Sequence, residues 1–191
     1  MRIVLPEDRP RYEFPLRGGR VLTLSPVIKT DREFFKQGLQ ELSIDSRFAR
    51  FGQGVASLSE REIAYLTDVD QRTHVAWGAV IGEEAAGVGR YIASGGKGSA
   101  EFAITVLDPL QGIGVGTALL TALVAVARAD GLEELWFETR ADNAAVKRLL
   151  AEIEVGQQLL EGTIERRIRI VDLPSSPHEE GLLAVIDEVR N

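Results

Sequence analysis

The spacing of apolar positions changes several times along the chain, and each change predicts a different element. Residues 115–129 carry apolar side chains three and four positions apart, which predicts a long helix that ends near Gly131. Three short apolar runs precede this helix with short connections, as is typical of consecutive antiparallel strands: 74–82, 86–94 and 100–107, with a glycine-rich turn at 95–98. Residues 134–140 form a strand after the helix, and a right-handed crossover places it parallel to the strand at 100–107.

Turn residues and helix-start signals divide the rest of the chain. An apolar run at 21–28 predicts an early strand, and two runs within 157–171 predict a terminal hairpin. The helix-start signals are capping boxes at Thr30–Glu33, Ser59–Glu62 and Ser176–Glu179, the last with Pro177 as its first helical residue, and a cap at Asp142 or Asn143.

These elements predict one α/β (α+β) domain, with a mixed, mostly antiparallel central sheet, helices on both faces and one β-α-β unit. We expect an N-terminal arm over 1–20, the domain itself over 21–171, and an acidic tail with an amphipathic helix over 172–191. The apolar stripe of that last helix requires a partner. The partner is either the chain's own core or a second subunit, so a homodimer is one of two readings.

Charge and composition exclude several classes of partner and of catalytic group. The chain has 22 Lys and Arg against 29 Asp and Glu, a net charge of −7, which argues against wholesale binding to nucleic acid or to an anionic membrane. No apolar run is long enough for a membrane helix and no signal peptide is evident, so we expect a cytoplasmic protein. The absence of cysteine excludes a thiol nucleophile, and His74 and His178 are too few for a metal site.

Three alternating glycines, Gly112, Gly114 and Gly116, stand where the long helix begins. Such a turn exposes backbone N–H groups at the positive end of a helix, which is a place where phosphates bind. The alternative is that the glycines only turn the chain tightly from strand to helix. No lysine follows the last glycine, which excludes a Walker loop, and the G-x-G-x-G spacing does not match the dinucleotide fingerprint.

The pattern Gln111-x-x-Gly114-x-Gly116 follows the strand that contains Glu101, and Asn143 lies two elements later. Over about residues 20–171 this arrangement resembles the coenzyme A loop of the GNAT N-acetyltransferase superfamily. The resemblance implies a GNAT fold, with acetyl-CoA as co-substrate and an amine as acceptor. By position it implies these contacts: Gln111, Gly112, Ile113, Gly114, Val115, Gly116 and Thr117 at the diphosphate, Ile104, Thr105 and Val106 at the pantetheine arm, and Asn143 beside the cofactor.

A second likeness concerns the acceptor. The segments Leu42-Ser43-x-x-Ser46-x-x-x-Arg50-Phe51, Val69-Asp70-x-x-x-His74 and Gly87-Val88-Gly89-Arg90-Tyr91 resemble the acetyltransferase domain of bacterial protein lysine acetyltransferases. This resemblance favours a protein lysine slightly over a small polyamine, amino acid or aminoglycoside. The alternative for residues 42–51 is a structural helix end whose Arg50 pairs with an acid.

An amine must lose a proton before it attacks a thioester, because an alkyl ammonium is almost fully protonated at pH 7. Strand alternation places Glu101, Ala103 and Thr105 on one face, and Glu101 is the ionisable residue of that run. Its position resembles that of the general-base glutamate of lysine acetyltransferases, for which we expect partial burial. The alternative is a strand-end carboxylate that faces water. Without a cysteine, the resemblance implies direct attack in a ternary complex.

One residue departs from the family pattern. Many relatives have a tyrosine seven residues after the motif asparagine, as general acid for the leaving thiolate, and this chain has Leu150 there. The general acid is therefore unassigned. Two further hypotheses stay open: a module of the same fold that binds acyl-CoA without catalysis, and a degenerate domain that binds no CoA.

Overall fold

In this computed structural model, residues 3–51, 57–93 and 98–191 are described, of which 48–51 by their backbone alone. Most of the predicted turn at 95–98 and the side chains of Arg50 and Phe51 lie outside the described residues. The helices are α1 Arg32–Glu41, α2 Ile44–Phe51, α3 Glu60–Thr67, α4 Val115–Ala129, α5 Ala144–Leu149 and α6 Glu179–Arg190.

The strands form one mixed sheet in the order β1-β2-β3-β4-β5-β6-β8-β7. Their bounds are β1 Tyr12–Pro15, β2 Val21–Pro26, β3 His74–Ile81, β4 Glu84–Ala93, β5 Ser99–Val106, β6 Glu134–Thr139, β7 Gly156–Leu159 and β8 Ile164–Arg169. Neighbouring strands are antiparallel except β5 and β6, which are parallel and joined through α4. The predicted fold class is confirmed.

The α4 helix is the centre of the core. Ten of its residues are buried, and it packs against β3, β4 and β5 and against α6. Glycines on β4 allow this close approach, because a Cβ at Gly89 would lie 3.2 Å from Cβ of Leu119. The helix ends, as predicted, before Gly131, which has a φ of 74°.

The apolar stripe of α6 is covered by the chain itself. Leu182, Val185 and Ile186 are buried, and α6 contacts α4, β1 and β2. Arg190 strengthens this contact by donating to both carboxylate oxygens of Asp130, at 2.9 and 2.7 Å. Of the two partners considered for this helix, the structure shows the chain's own core.

The opposite face of the sheet is covered by α1 and α3, so helices lie on both faces. Ser59 caps α3 as predicted: its hydroxyl accepts from the Glu62 amide, and the Glu62 carboxylate accepts from the Ser59 amide at 2.8 Å. The capping box predicted at Thr30 is wrong. A tight turn over Lys29–Asp31 precedes α1, and the Asp31 carboxylate instead accepts from the Ile28 amide and from Arg9.

The start of α6 also differs from the prediction. The helix begins at Glu179 rather than at Pro177, with His178 as its N-cap. Ser176 still takes part, because its amide donates to the Glu179 carboxylate at 3.0 Å. Within the described residues, no helix has the length and apolar character needed to span a membrane.

Candidate functional site

The strands β5 and β6 pair over only three residues. Their register joins Ser99 with Glu134, Ala100 with Leu135, and Glu101 with Trp136. After Glu101 the strands separate: the residues of β5 from Phe102 to Val106 pair with β4, whereas those of β6 from Phe137 to Thr139 pair with β8. The N–H and C=O groups on that side of β5 are therefore available to a ligand that lies along it like an additional strand.

The free edge of β5 is followed by a short 3-10 turn, Asp108–Leu110, and then by the glycine turn. Gly112 and Gly114 have φ angles of 79° and 106°, which side chains with a Cβ rarely adopt. Gly114 caps α4, and the first amides of the helix, at Val115, Gly116 and Thr117, have no carbonyl one turn before them within the helix. The turn thus presents backbone donors at the positive end of a 15-residue helix, as the phosphate-binding hypothesis requires.

The side chains of the predicted phosphate loop fall into two groups. Val115 is buried in the core and Ile113 packs against it, so only their backbone can reach a ligand. Gly112 and Thr117 are exposed. A Cβ at Gly116 would make ordinary van der Waals contacts, 3.6 Å from Leu149 and 3.8 Å from Val106. The sequence therefore places the apolar residues of the loop inward and Gly112 and Thr117 on the surface.

Gln111 and Asp108 shape the approach to this turn. The Gln111 amide nitrogen donates to the Val106 carbonyl at 3.3 Å, which connects the turn to the end of β5. The Asp108 carboxylate accepts from the Ser43 amide at 2.9 Å and from the Ser46 hydroxyl at 2.7 Å. Burial alone would raise the pKa of Asp108, but these hydrogen bonds outweigh it and lower the pKa.

The Asp108 contacts were missed by sequence reasoning. Ser43 and Ser46 were singled out through the likeness to lysine acetyltransferases, but nothing in that pattern indicated their partner. In the structure they tie the junction of α1 and α2 to the loop between β5 and the glycine turn. The spacing of 65 residues between Ser43 and Asp108 explains why local patterns could not show this contact.

Asn143 follows β6, one of the two strands that separate, and its side chain caps α5. Its side-chain oxygen accepts from the Val146 amide at 3.1 Å, and its nitrogen donates to the Thr139 hydroxyl at 3.1 Å. These bonds fix the turn between the end of β6 and α5, which confirms Asn143 as the cap of this helix. Both ends of its amide are thus used within the protein.

Glu101 lies where β5 and β6 begin to separate. Its side chain is exposed, not partly buried as expected, because it lies where the pairing of β5 with β6 ends. Directly opposite residues on neighbouring strands share a face. Glu101 is therefore in one row with Ile92 of β4 and Trp136 of β6, and His74 of β3 is next to Ile92 in the same row.

His74 supports this face rather than acting as a base. A guanidinium N–H of Arg90 lies 3.2 Å from its Nε2, and the Tyr65 ring is 5.4 Å from the imidazole centroid. Burial and the positive charge of Arg90 lower the pKa of His74 to about 4, and Asp70 offsets only part of this effect. The imidazole is therefore neutral at physiological pH, which suits a structural role.

Leu150 occupies a closed position. It is 7 % exposed, ends α5 and belongs to the main core cluster, so it presents no proton donor to the gap.

Arg128 lies at the far end of α4, where it pairs with Glu179 and donates to the carbonyls of Ile170 and Leu173. Among the described residues, no three His, Asp or Glu side chains are grouped as metal ligands.

Comparison with known proteins agrees with this geometry. Residues 37–153 match the model of the "Acetyltransferase (GNAT) family". The chain is 30% identical over 148 residues to Acetyltransferase PA5475 of Pseudomonas aeruginosa, covering 75% of this chain and 80% of that protein. It is 29% identical over 184 residues to Acetyltransferase Pat of Mycolicibacterium smegmatis; this alignment covers 92% of the chain but 53% of Pat, about half its length.

Solved structures show the same fold. The GNAT domain of PAT from S. lividans superimposes with a TM-score of 0.78 at 25% identity, over 87% of this chain and 99% of that one. RimJ of Mycobacterium smegmatis in complex with CoA-disulfide has a TM-score of 0.65 at 14% identity, over 91% and 93% of the two chains. The family match extends over more than half of the chain and includes the free edge, the glycine turn and Asn143. The chain therefore belongs to the acetyltransferase (GNAT) family.

Proposed function

We propose that this protein transfers an acetyl group from acetyl-CoA to a primary amine, first of all the side chain of a protein lysine, in a ternary complex with Glu101 as general base. The observation that carries this proposal is the edge of β5 that is not paired with β6 from Phe102 onward, which is connected by a short turn at Asp108–Leu110 to the glycine turn and the start of α4. A ligand with an extended arm attached to phosphates matches the strand edge and the glycine turn in this order.

The described residues fit acetyl-CoA. The amide groups of its pantetheine arm match the backbone edge at Ile104, Thr105 and Val106, where the Val106 carbonyl already accepts from the Gln111 side chain. The diphosphate matches the backbone amides from Gly112 to Thr117, including those of the first turn of α4, which have no partner within the helix. Exposed cations, Lys147 and Arg148, lie on the neighbouring helix α5 and add positive charge on that side.

The reaction balances with groups of this chain and the two substrates. The amine nitrogen forms a bond to the thioester carbonyl carbon, the carbon–sulfur bond breaks, and CoA leaves as a thiolate. The Glu101 carboxylate takes the proton that the ammonium loses when it becomes the attacking amine. The second proton, which the nitrogen loses as the amide forms, goes to the departing thiolate directly or through water. Because a CoA thiol is acidic enough to leave without help or through water, the absence of a tyrosine at Leu150 does not prevent the reaction.

The row of residues around Glu101 suits a long alkyl ammonium. Ile92 on one side offers apolar surface for a methylene chain, and Trp136 on the other is partly exposed. The Arg167 guanidinium already lies 5.9 Å from the centre of the Trp136 ring, so the Glu101 carboxylate is the group that attracts the ammonium. A lysine side chain has this combination of an apolar stem and a cationic end, as has a polyamine.

Turnover with a panel of acceptors tests the proposal. The purified protein is mixed with acetyl-CoA and with lysine-containing peptides, acyl-CoA synthetases, spermidine and amino acids, and free thiol is followed over time. We expect thiol release that depends on a lysine-bearing protein, with acetyl-lysine found by mass spectrometry. Release with small amines alone would overturn the choice of a protein lysine, and no release with any amine would overturn the enzyme.

A non-catalytic acyl-CoA-binding module is the second candidate, and the buried Leu150 is the observation that favours it. Such a module keeps the free β5 edge and the glycine turn but transfers nothing. The same experiment separates the two. Stabilisation of the protein against heat by acetyl-CoA, together with no thiol release across the panel, would support this second function.

A further inference from the structure

A cavity of about 130 Å³ lies between α1 and the face of the sheet that carries Glu101. This volume is roughly ten times the minimum that one water molecule requires. The walls are mainly hydrocarbon, contributed by Phe34, Phe35, Leu39, Val88 and Leu107 among others. An apolar cavity of this size is suited to an apolar ligand.

Two glycines leave this space open. Gly38 lies in the middle of α1, where glycine is unfavourable, and a Cβ added there would meet no atom within 4 Å. Gly78 of β3 lies on the opposite wall, and a Cβ there would meet only the Ser25 carbonyl, at 3.7 Å. The cavity therefore exists because side chains are missing at two positions that could hold them.

Part of the cavity wall is formed by β5, the strand whose free edge faces the gap between β5 and β6. Thr105 of β5 belongs to its wall, as does Leu107 directly after the strand. Ala103 lies on the same face of β5, between Glu101 and Thr105, and its small side chain is partly exposed. The cavity wall at Thr105 is therefore two residues from Ala103 on the same face of the strand that has the free edge.

The charged groups of the wall have partners within the protein. Arg9 and Asp31 form a buried ion pair at 2.6 Å. The Arg90 guanidinium contacts His74 and donates to the Leu66 carbonyl at 3.2 Å, with the Phe35 ring 5.6 Å away. What the cavity offers a ligand is thus mostly carbon surface, which selects a hydrocarbon chain over a charged group.

We propose that this cavity binds the acyl chain of acyl-CoA thioesters longer than acetyl, so that the substrates include short saturated acyl groups such as butyryl and hexanoyl. The inference rests on the proposed binding of CoA along β5. It adds a chain-length preference, which follows from the contact between the cavity wall and that strand.

Calorimetric titration with CoA, acetyl-CoA, butyryl-CoA and hexanoyl-CoA tests the inference. Two methylenes buried in the cavity should make butyryl-CoA bind about tenfold more tightly than acetyl-CoA. Gly38→Leu fills the cavity and should abolish this gain while leaving the affinities for CoA and acetyl-CoA unchanged. Gln37→Leu adds the same side chain at the neighbouring, exposed position of α1 and should retain the gain.

The outcomes separate the two proposals. If CoA itself does not bind to the unmodified protein, the proposed function fails. If CoA and acetyl-CoA bind but affinity does not rise with chain length, or rises equally in Gly38→Leu and Gln37→Leu, the inference about the cavity fails. Should Gly38→Leu not fold, Gly38→Ala replaces it: the added methyl should weaken hexanoyl-CoA binding about threefold relative to the unmodified protein, and an unchanged affinity would overturn the inference.

Discussion

Replacing Glu101 by glutamine is expected to lower kcat at pH 7 by at least about 100-fold, with little change in the affinity for acetyl-CoA. Positioned general bases contribute roughly 10²–10⁴-fold to rates, and glutamine keeps the shape of the side chain but cannot take a proton. The proposed diphosphate and pantetheine contacts lie on the other residues of β5 and on the glycine turn, so binding should persist.

The pH dependence of the rate distinguishes a base from a merely polar neighbour. An alkyl amine with a pKa near 10.4 becomes about tenfold more available with each unit of pH. The rate of Glu101→Gln should therefore rise with pH and approach that of the unmodified protein at high pH. Glu84→Gln is the matched control, since Glu84 is an exposed glutamate at the far end of β4. Equal kcat values for both variants would remove Glu101 as the base.

Replacing Asp31 by alanine is expected to destabilise the protein by about 3–5 kcal/mol. The Arg9 and Asp31 side chains are each 7% exposed and form two bonds of 2.6 Å. Arg9 also donates to the Ser25 hydroxyl at 2.7 Å and the Pro26 carbonyl at 2.6 Å. The change leaves a buried guanidinium without its counter-charge, at the point where the N-terminal residues meet β2 and α1.

Urea unfolding measures this effect. Asp142→Ala is the matched control, because its ion pair with Arg140 is equally short, at 2.7 Å, but is 59% and 70% exposed. Exposed pairs contribute about 1 kcal/mol or less. If Asp31→Ala costs no more than Asp142→Ala, the N-terminal residues do not anchor the sheet through Arg9.

Local patterns predicted the central elements because each is long or strongly periodic. The apolar spacing over 115–129 predicted α4, and the run at 134–140 predicted β6 as a parallel neighbour of β5. The helix starts were less well predicted. Thr30 matched a capping box in sequence, but the carboxylate of Asp31 is held by Arg9, 22 residues earlier, which no local signal could indicate.

In the site, too, local patterns predicted some features, whereas contacts between distant segments determine the others. The glycine turn could be recognised because its conformation is encoded in adjacent residues. The separation of β5 and β6 after three pairs, the exposure of Glu101 and the contact of Asp108 with Ser43 depend on how distant segments pack. The cavity under α1 likewise requires Gly38 and Gly78 to face one space, although they lie on different elements.

Calorimetric titration of CoA into the unmodified protein, Gly112→Ala and Gly131→Ala tests most directly whether the glycine turn binds the cofactor. Gly112 and Gly131 have similar φ angles, 79° and 74°, and a Cβ at either would meet no atom within 4 Å. Both variants should therefore lose similar stability through backbone strain. We expect Gly112→Ala to weaken CoA binding about tenfold and Gly131→Ala to leave it unchanged. No heat of binding with the unmodified protein, or the same affinity in both variants, would contradict the account.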